Sequence, residues 1–205
     1  MEGCRPITHL DTVPMPYVTE SSLVNIIVPL SDTSEVEAAT KFVQSYAKSW
    51  MAKSDKSELT LVLPASHQEA FGSLKTLAQT LSSQYRKQGG KIRTVSYEKQ
   101  PIEAVSLDFI AVDLVSHRLG PDSLVFLCSP FTEIYPDVLN RVRINTISGW
   151  QLFSAIPFSE YNPDVSFPSL PRNQALNIST NQGFYNDNDS HHISFYLADY
   201  LNGII

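Results

Sequence analysis

Three short apolar runs constrain this chain more than any other feature. VNIIVPL (24–30), LTLVLP (59–64) and SLVFLC (123–128) are nearly continuous in apolar and β-branched residues, the mark of strands buried on both faces. Long stretches with helical spacing separate them. After the first run, Ser34 offers a helix cap and Ala38, Phe42, Val43, Tyr46 and Trp50 recur at helical intervals up to residue 50. After the second, residues 66–87 put Phe71, Leu74, Leu77 and Leu81 on one stripe, and Gly89 and Gly90 end the helix. A weakly alternating strand at 91–98 leads to a helix at 102–120, with Val105, Phe109, Val112 and Leu119 apolar and Gly120 as its stop. Strands alternating with helices of this length predict an α/β fold. The sheet should be largely parallel, joined by right-handed crossovers and covered by helices on both faces.

The remaining segments are less regular. PDVLNRVRINT (136–146) opens with a helix-compatible proline and reads as a short amphipathic helix, and WQLFSAIPF (150–158) as a further strand. From Ser159 to Asn188 the composition turns to Asn, Pro, Ser and Asp, which predicts a long surface excursion. Apolar character returns at SFYLADYL (194–201), while residues 1–22, with three prolines, read as an extended lead-in.

At 205 residues the chain can bury one full-sized core. Its 15 Lys and Arg against 21 Asp and Glu give a net charge of -6, which argues against a general nucleic-acid binder. Cys4 and Cys128 form neither a disulfide framework nor a zinc spacing. No apolar run approaches a membrane span, and MEGCRPITHL lacks a signal-peptide pattern. Two glycosylation sequons, at Asn177 and Asn188, stand in the polar stretch.

Open parallel sheets bind ligands beyond the carboxyl ends of their strands, so the loops starting at Pro29, Pro64, Tyr97 and Cys128 form the expected site edge. Neither a Gly-x-Gly-x-x-Gly turn after the first strand, nor a Gly-Lys-Ser/Thr phosphate loop, nor a Gly-x-Ser-x-Gly elbow is present. The densest set of hard ligands is Asp187, Asp189, His191 and His192, which could chelate a metal but has equally the composition of an exposed turn.

The segments VTESSLVNIIVPL, DSLVFL, PDVLNRVRINTISGW, FSEYNPDVSF and GFYNDNDSHHISFYLADYL, in this order and spacing, resemble the chondroitin synthase glycosyltransferases. The similarity spans about residues 17–201 and is densest over 122–164. It implies a GT-A-like, Rossmann-like fold over 23–205, partial at its carboxyl end. It further implies UDP-glucuronate and UDP-N-acetylgalactosamine donors, a divalent cation (manganese or magnesium), a chondroitin oligosaccharide as acceptor, a partner synthase subunit, and Golgi residence as a type II membrane protein whose anchor is missing from this stretch. Within that fold, Pro29, Leu30 and Ser31 occupy the loop expected to cradle uracil and ribose, unless they are a plain strand stop.

Active members of the family carry Asp-Val-Asp at the end of the fourth strand, where the carboxylates hold the cation that neutralises the departing diphosphate. The matching positions here read Cys128-Ser129-Pro130. One branch of the family is similar in lacking the acidic pair. A thiol, a hydroxyl and an imide ring cannot replace two hard anionic oxygens, so the expectation is a subunit of chondroitin polymerisation with little or no hexosyltransferase activity alone, or a non-enzymatic binding or scaffold module on the same fold. Glu133 and Asp137 are the nearest other carboxylates, read as a solvent-facing side chain and a helix-terminus charge. Cys128 is either a reactive thiol or an inert core residue. Trp150 and Tyr161 are either acceptor-stacking rings or core. Arg141 and Arg143 are read as a solvated face, although arginine also suits a glycan carboxylate, and Asp108 and Asp113 are read as surface charges.

Overall fold

A computed structural model describes residues 22–98, 106–132, 135, 137–154, 158–160, 183–185 and 192–203. Four parallel strands form its centre: β1 (Val24–Pro29), β2 (Ser57–Pro64), β3 (Lys91–Tyr97) and β4 (Leu124–Leu127). The helices between them are α1 (Val36–Ser49), α2 (Gly72–Gln84) and α3 (Leu107–Ser116), and α4 (Val138–Asn145) follows β4. Two short strands, β5 (Phe153–Ser154) and β6 (Phe158–Glu160), come next, and β6 pairs antiparallel with β7 (Gly183–Tyr185). Finally β8 (Ile193–Tyr196) runs antiparallel to both β4 and β5 and continues into α5 (Leu197–Leu201). The main sheet has the order β3-β2-β1-β4-β8-β5, an α/β architecture as the apolar runs predict.

Strand alternation explains those runs. Val24, Ile26, Val28 and Leu30 face one layer together with Leu59, Leu61, Leu63, Leu124, Phe126 and Cys128, and α1, α2 and α4 cover them. Ile27, Val62, Val125 and Leu127 face the other layer, which α3 covers with Ala111, Val112 and Val115. Neither face of the central strands meets water, so alternation in polarity has no role there. The heaviest core side chains are Trp50, Tyr46 and Phe71, each worth about 1.5–3 kcal/mol by burial. Tyr46 and Trp50 meet edge to face at 5.6 Å, and the Tyr46 hydroxyl donates to the Ser57 carbonyl at 3.0 Å.

Several boundaries differ from the expected ones for local reasons. The first helix is entered through a 3-10 turn, Thr33–Glu35, and its cap is Asp32, whose carboxylate accepts from the Ser34 amide at 2.7 Å; Ser34 is the capped residue. The buried stripe of α1 runs through Ala39, with Ala38 only half-buried. The second helix winds regularly only from Gly72, directly after the buried Phe71. Gly89 closes the following turn in the left-handed region at φ +79°, which glycine enters without steric cost. Ser106 caps α3 by accepting from the Asp108 amide at 3.3 Å, and residues 102–105 lie outside the described ones. Phe109, expected on the buried stripe, is 49% exposed and stacks on Tyr200 at 6.3 Å. The single strand expected over 150–158 is two, β5 and β6. No helix among the described residues is long and apolar enough to cross a membrane.

Candidate functional site

The chain leaves β1 toward β2 on one side, while β4 lies against β1 on the other. Their following loops therefore diverge and open a crevice at the carboxyl edge, the place where such sheets bind ligands. Of the three residues expected in the first loop, Pro29 ends β1 and Leu30 is fully buried in the core. The Leu30 amide donates to the Val62 carbonyl at 2.9 Å and its carbonyl accepts from the Tyr97 hydroxyl at 3.1 Å. Only Ser31 of the three is exposed, and its amide donates to a Glu35 carboxylate oxygen at 2.6 Å. This rim is a rigid strand end with one exposed hydroxyl-bearing residue.

The corner after β4 is equally fixed. The Cys128 amide donates to the Ile27 carbonyl at 3.0 Å, extending the β1–β4 pairing by one residue. Its side chain lies in the core, and burial pushes the thiol pKa up, which makes Cys128 the inert core residue of the two alternatives. Ser129 folds back on its own turn: its hydroxyl accepts from the Phe131 amide at 3.3 Å and its carbonyl from the Thr132 amide at 3.1 Å. Pro130 is buried. The Thr132 hydroxyl hydrogen-bonds Nε2 of the buried His192, tying the corner to the entrance of β8. A core thiol, a hydroxyl engaged in a turn and a proline ring present no hard anionic oxygen, so the corner does not fit a divalent cation.

The other candidates are placed as follows. Asp137 is exposed at the start of α4 and accepts from Arg141 Nε at 2.7 Å, a local pair four residues apart. Arg141 is solvated, as expected, but Arg143 is not. It is 3% exposed and donates to Asp55 Oδ1 at 2.5 Å and to the carbonyls of Ser22 and Lys56 at 2.8 and 2.9 Å, locking α4 to the amino ends of β1 and β2. Trp150 is 63% exposed on a tight turn bracketed by the Ile147–Gln151 bridge, which rules out a core position. The turn is fixed from below, because the Gly149 amide donates to the buried Asp199 carboxylate at 2.9 Å. Asp113 is exposed and Asp108 half-buried in the first turn of α3. Glu133, Tyr161, Asn177, Asp187, Asn188, Asp189 and His191 lie outside the described residues. Among the described residues no three His, Cys, Asp or Glu side chains gather to hold a metal.

Sequence reasoning missed what stands beside the corner. A groove of about 500 Å³ separates α1 and the 3-10 turn before it from the loop 130–132, with Ser34, Glu37, Lys41 and Ser45 on one wall and Phe131 and Thr132 on the other. An aromatic immediately after a Ser-Pro corner was the available signal for it.

The chain matches the chondroitin N-acetylgalactosaminyltransferase family over residues 2–204. It is 30% identical to mouse chondroitin sulfate synthase 2 over 205 residues, covering 96% of this chain and 25% of that protein. It is 33% identical to human chondroitin sulfate glucuronyltransferase over 169 residues, covering 79% of this chain and 21% of the relative. A nematode relative, the chondroitin sulfate synthase mig-22 of Caenorhabditis elegans, is 25% identical over 174 residues. The chain thus spans about a quarter of the length of the curated relatives it matches. With a mostly parallel, GT-A-like sheet and a match along nearly its whole length, this chain belongs to the chondroitin N-acetylgalactosaminyltransferase family.

Proposed function

We propose that this chain is a nucleotide-sugar-fold domain of chondroitin polymerisation that transfers little or no sugar alone and supports a partner synthase. The observation that carries the reading is the burial of Cys128 at the corner where active relatives would need a carboxylate. Departure of UDP adds a negative charge to a diphosphate that already carries two, and transfer is slow unless a cation compensates them. The corner supplies none. On this reading the donors are UDP-glucuronate and UDP-N-acetylgalactosamine, the acceptor is a growing chondroitin chain, and the setting is the Golgi lumen, reached as part of a type II membrane protein. Asn177 and Asn188 would carry glycan there. Asp187, Asp189 and His191 are the residues from which a displaced cation site would be drawn.

A second reading keeps the fold and drops the nucleotide: a scaffold module that stabilises a synthase. The burial of Leu30 favours it, because the first loop then offers a base and ribose little besides Ser31. Calorimetry with UDP separates the two. Binding that is weakened by Ser31→Trp supports the nucleotide-sugar reading, and no binding to the folded chain supports the scaffold. Robust manganese-dependent transfer from UDP-glucuronate by the purified chain would overturn both.

A further inference from the structure

A second pocket, of about 240 Å³, opens at the amino edge of the sheet on the side that α3 covers. Its floor is Asn25 of β1, Glu58 and Thr60 of β2 and Arg93 of β3, and its wall is the end of α3 with Arg118. Farther along the same strands this layer is apolar, with Ile27 and Val62 packed beneath α3. The polar floor is incompletely satisfied. Thr60 is 7% exposed, and its hydroxyl has no hydrogen-bond partner among the described residues. Asn25 is 6% exposed and is engaged only through its amide nitrogen, which donates to the Leu124 carbonyl at 3.2 Å. Buried polar groups are nearly always paired, so an open hydroxyl and an open amide oxygen lining one cavity point to a ligand.

The charge of the lining is basic in a chain whose net charge is -6. Two guanidiniums, Arg93 and Arg118, face one carboxylate, Glu58. That carboxylate is divided: Lys91 meets one oxygen at 3.3 Å and Arg93 meets the other through Nε at 3.4 Å. Lys91 thus offsets much of the Glu58 charge, and the terminal nitrogens of Arg93 stay unengaged among the described residues. Arg118 is exposed and has no ion pair among the described residues. The last carbonyls of α3, which would repel an anion, are occupied. The Ser116 hydroxyl donates to the Asp113 carbonyl at 2.6 Å, and the Arg118 and Leu119 amides donate to the Val115 and Ser116 carbonyls at 3.0 Å. Guanidinium forks on two elements exceed what one planar carboxylate satisfies, whereas a tetrahedral phosphate presents oxygens to both. A monoprotonated phosphate also keeps one O–H for the Asn25 amide oxygen, which a sulfate lacks. The pocket is smaller than the roughly 300–1,000 Å³ of drug-sized sites, so the phosphate carries at most a short organic body.

We infer that this pocket is a phosphate site, taking a monoprotonated phosphate, free or on a short organic monoester, between Arg93 and Arg118 with Thr60 and Asn25 beneath it. It stands at the end of the strands opposite the loops after β1 and β4, so it is separate from the nucleotide-sugar crevice and does not rest on that reading. Occupancy bridges α3 to β2 and β3, and a ligand held only by the folded chain raises its stability.

The test is calorimetry of the chain at constant ionic strength with sodium phosphate, propyl phosphate and sodium sulfate, each repeated with UDP present. Arg118→Gln should weaken phosphate binding by about tenfold while unfolding at the wild-type temperature without phosphate, because Arg118 is exposed. Thr60→Val should weaken it several-fold and leave the phosphate-free fold at least as stable, because its hydroxyl has no partner to lose. Sulfate should bind several-fold more weakly than phosphate. Propyl phosphate binding at least as tightly as the inorganic ion assigns the site to an organic monoester, and binding of the inorganic ion alone assigns it to free phosphate. No phosphate binding in the wild type, equal affinity in Arg118→Gln, sulfate binding as tightly as phosphate, or displacement of phosphate by UDP overturns the site. Absent UDP binding counts only against the nucleotide-sugar reading.

Discussion

Arg143 holds its guanidinium between a carboxylate and two backbone carbonyls, out of reach of solvent. A charge buried this way is tolerated because each guanidinium nitrogen finds an acceptor, the third being Asn140 Oδ1 at 3.2 Å. Arg143→Ala should therefore cost about 3 kcal/mol in urea unfolding, since Asp55 and the Ser22 and Lys56 carbonyls lose their partner. Arg143→Lys should recover little, because an ammonium cannot span the same fork. The position was readable: Leu139, Val142, Arg143 and Thr146 are all buried at spacings of three, one and three along α4. Reading arginine by residue type, as solvent-facing, overlooked that stripe. Cys128 makes a second prediction at this scale. Its folded pKa is raised, so the stability tied to its neutral form is present below the ordinary thiol pKa and is lost as pH rises. Above about pH 9 unfolding should become easier by roughly 1.4 kcal/mol per pH unit from this thiol. The raised pKa of buried Tyr46 should add a similar slope beginning about one pH unit higher. Unfolding free energies measured between pH 8 and 11 should show a shallower decline in Cys128→Ala than in the wild type.

The elements differ in how much of their placement was written locally. β1, β2 and β4 were visible because burial on both faces leaves a continuous apolar run, which a half-exposed strand or a surface helix of that length would interrupt with polar residues. The phase of α3 was not. LDFIAVDLVS is apolar nearly all round, so spacing alone could not tell that Ala111, Val112 and Val115 face the sheet while Phe109 looks outward to Tyr200. The strand expected over 150–158 failed for a different reason: the turn that precedes it depends on contacts distant in sequence. Gly149 sits there at φ +72° with its amide on Asp199, and Thr146 meets the Ser194 hydroxyl at 2.6 Å. Among the described residues nothing lies within 4 Å of a Cβ added at Gly149, so Gly149→Ala is opposed there by backbone strain. Gly149→Ala should cost about 1–2 kcal/mol in thermal or chemical unfolding. Gly149→Asn should cost less, because asparagine tolerates the left-handed region.

For the whole molecule, βα alternation alone predicted that the loops after β1, β2, β3 and β4 share the carboxyl edge of the sheet, whereas the crevice between the loops after β1 and β4 follows from the strand order. The chemistry at the crevice was predictable in part. The corner's lack of carboxylates could be read directly, whereas the burial of Leu30 and the groove at Phe131 required the packing of the folded chain. The central claim is that the nucleotide-sugar fold persists here without a cation-holding corner. The most direct test is a pair of UDP titrations of the purified chain, one with manganese and one with a chelator. The account predicts the same affinity within about twofold in both, whereas tightening by tenfold or more with manganese, about 1.4 kcal/mol, would contradict it.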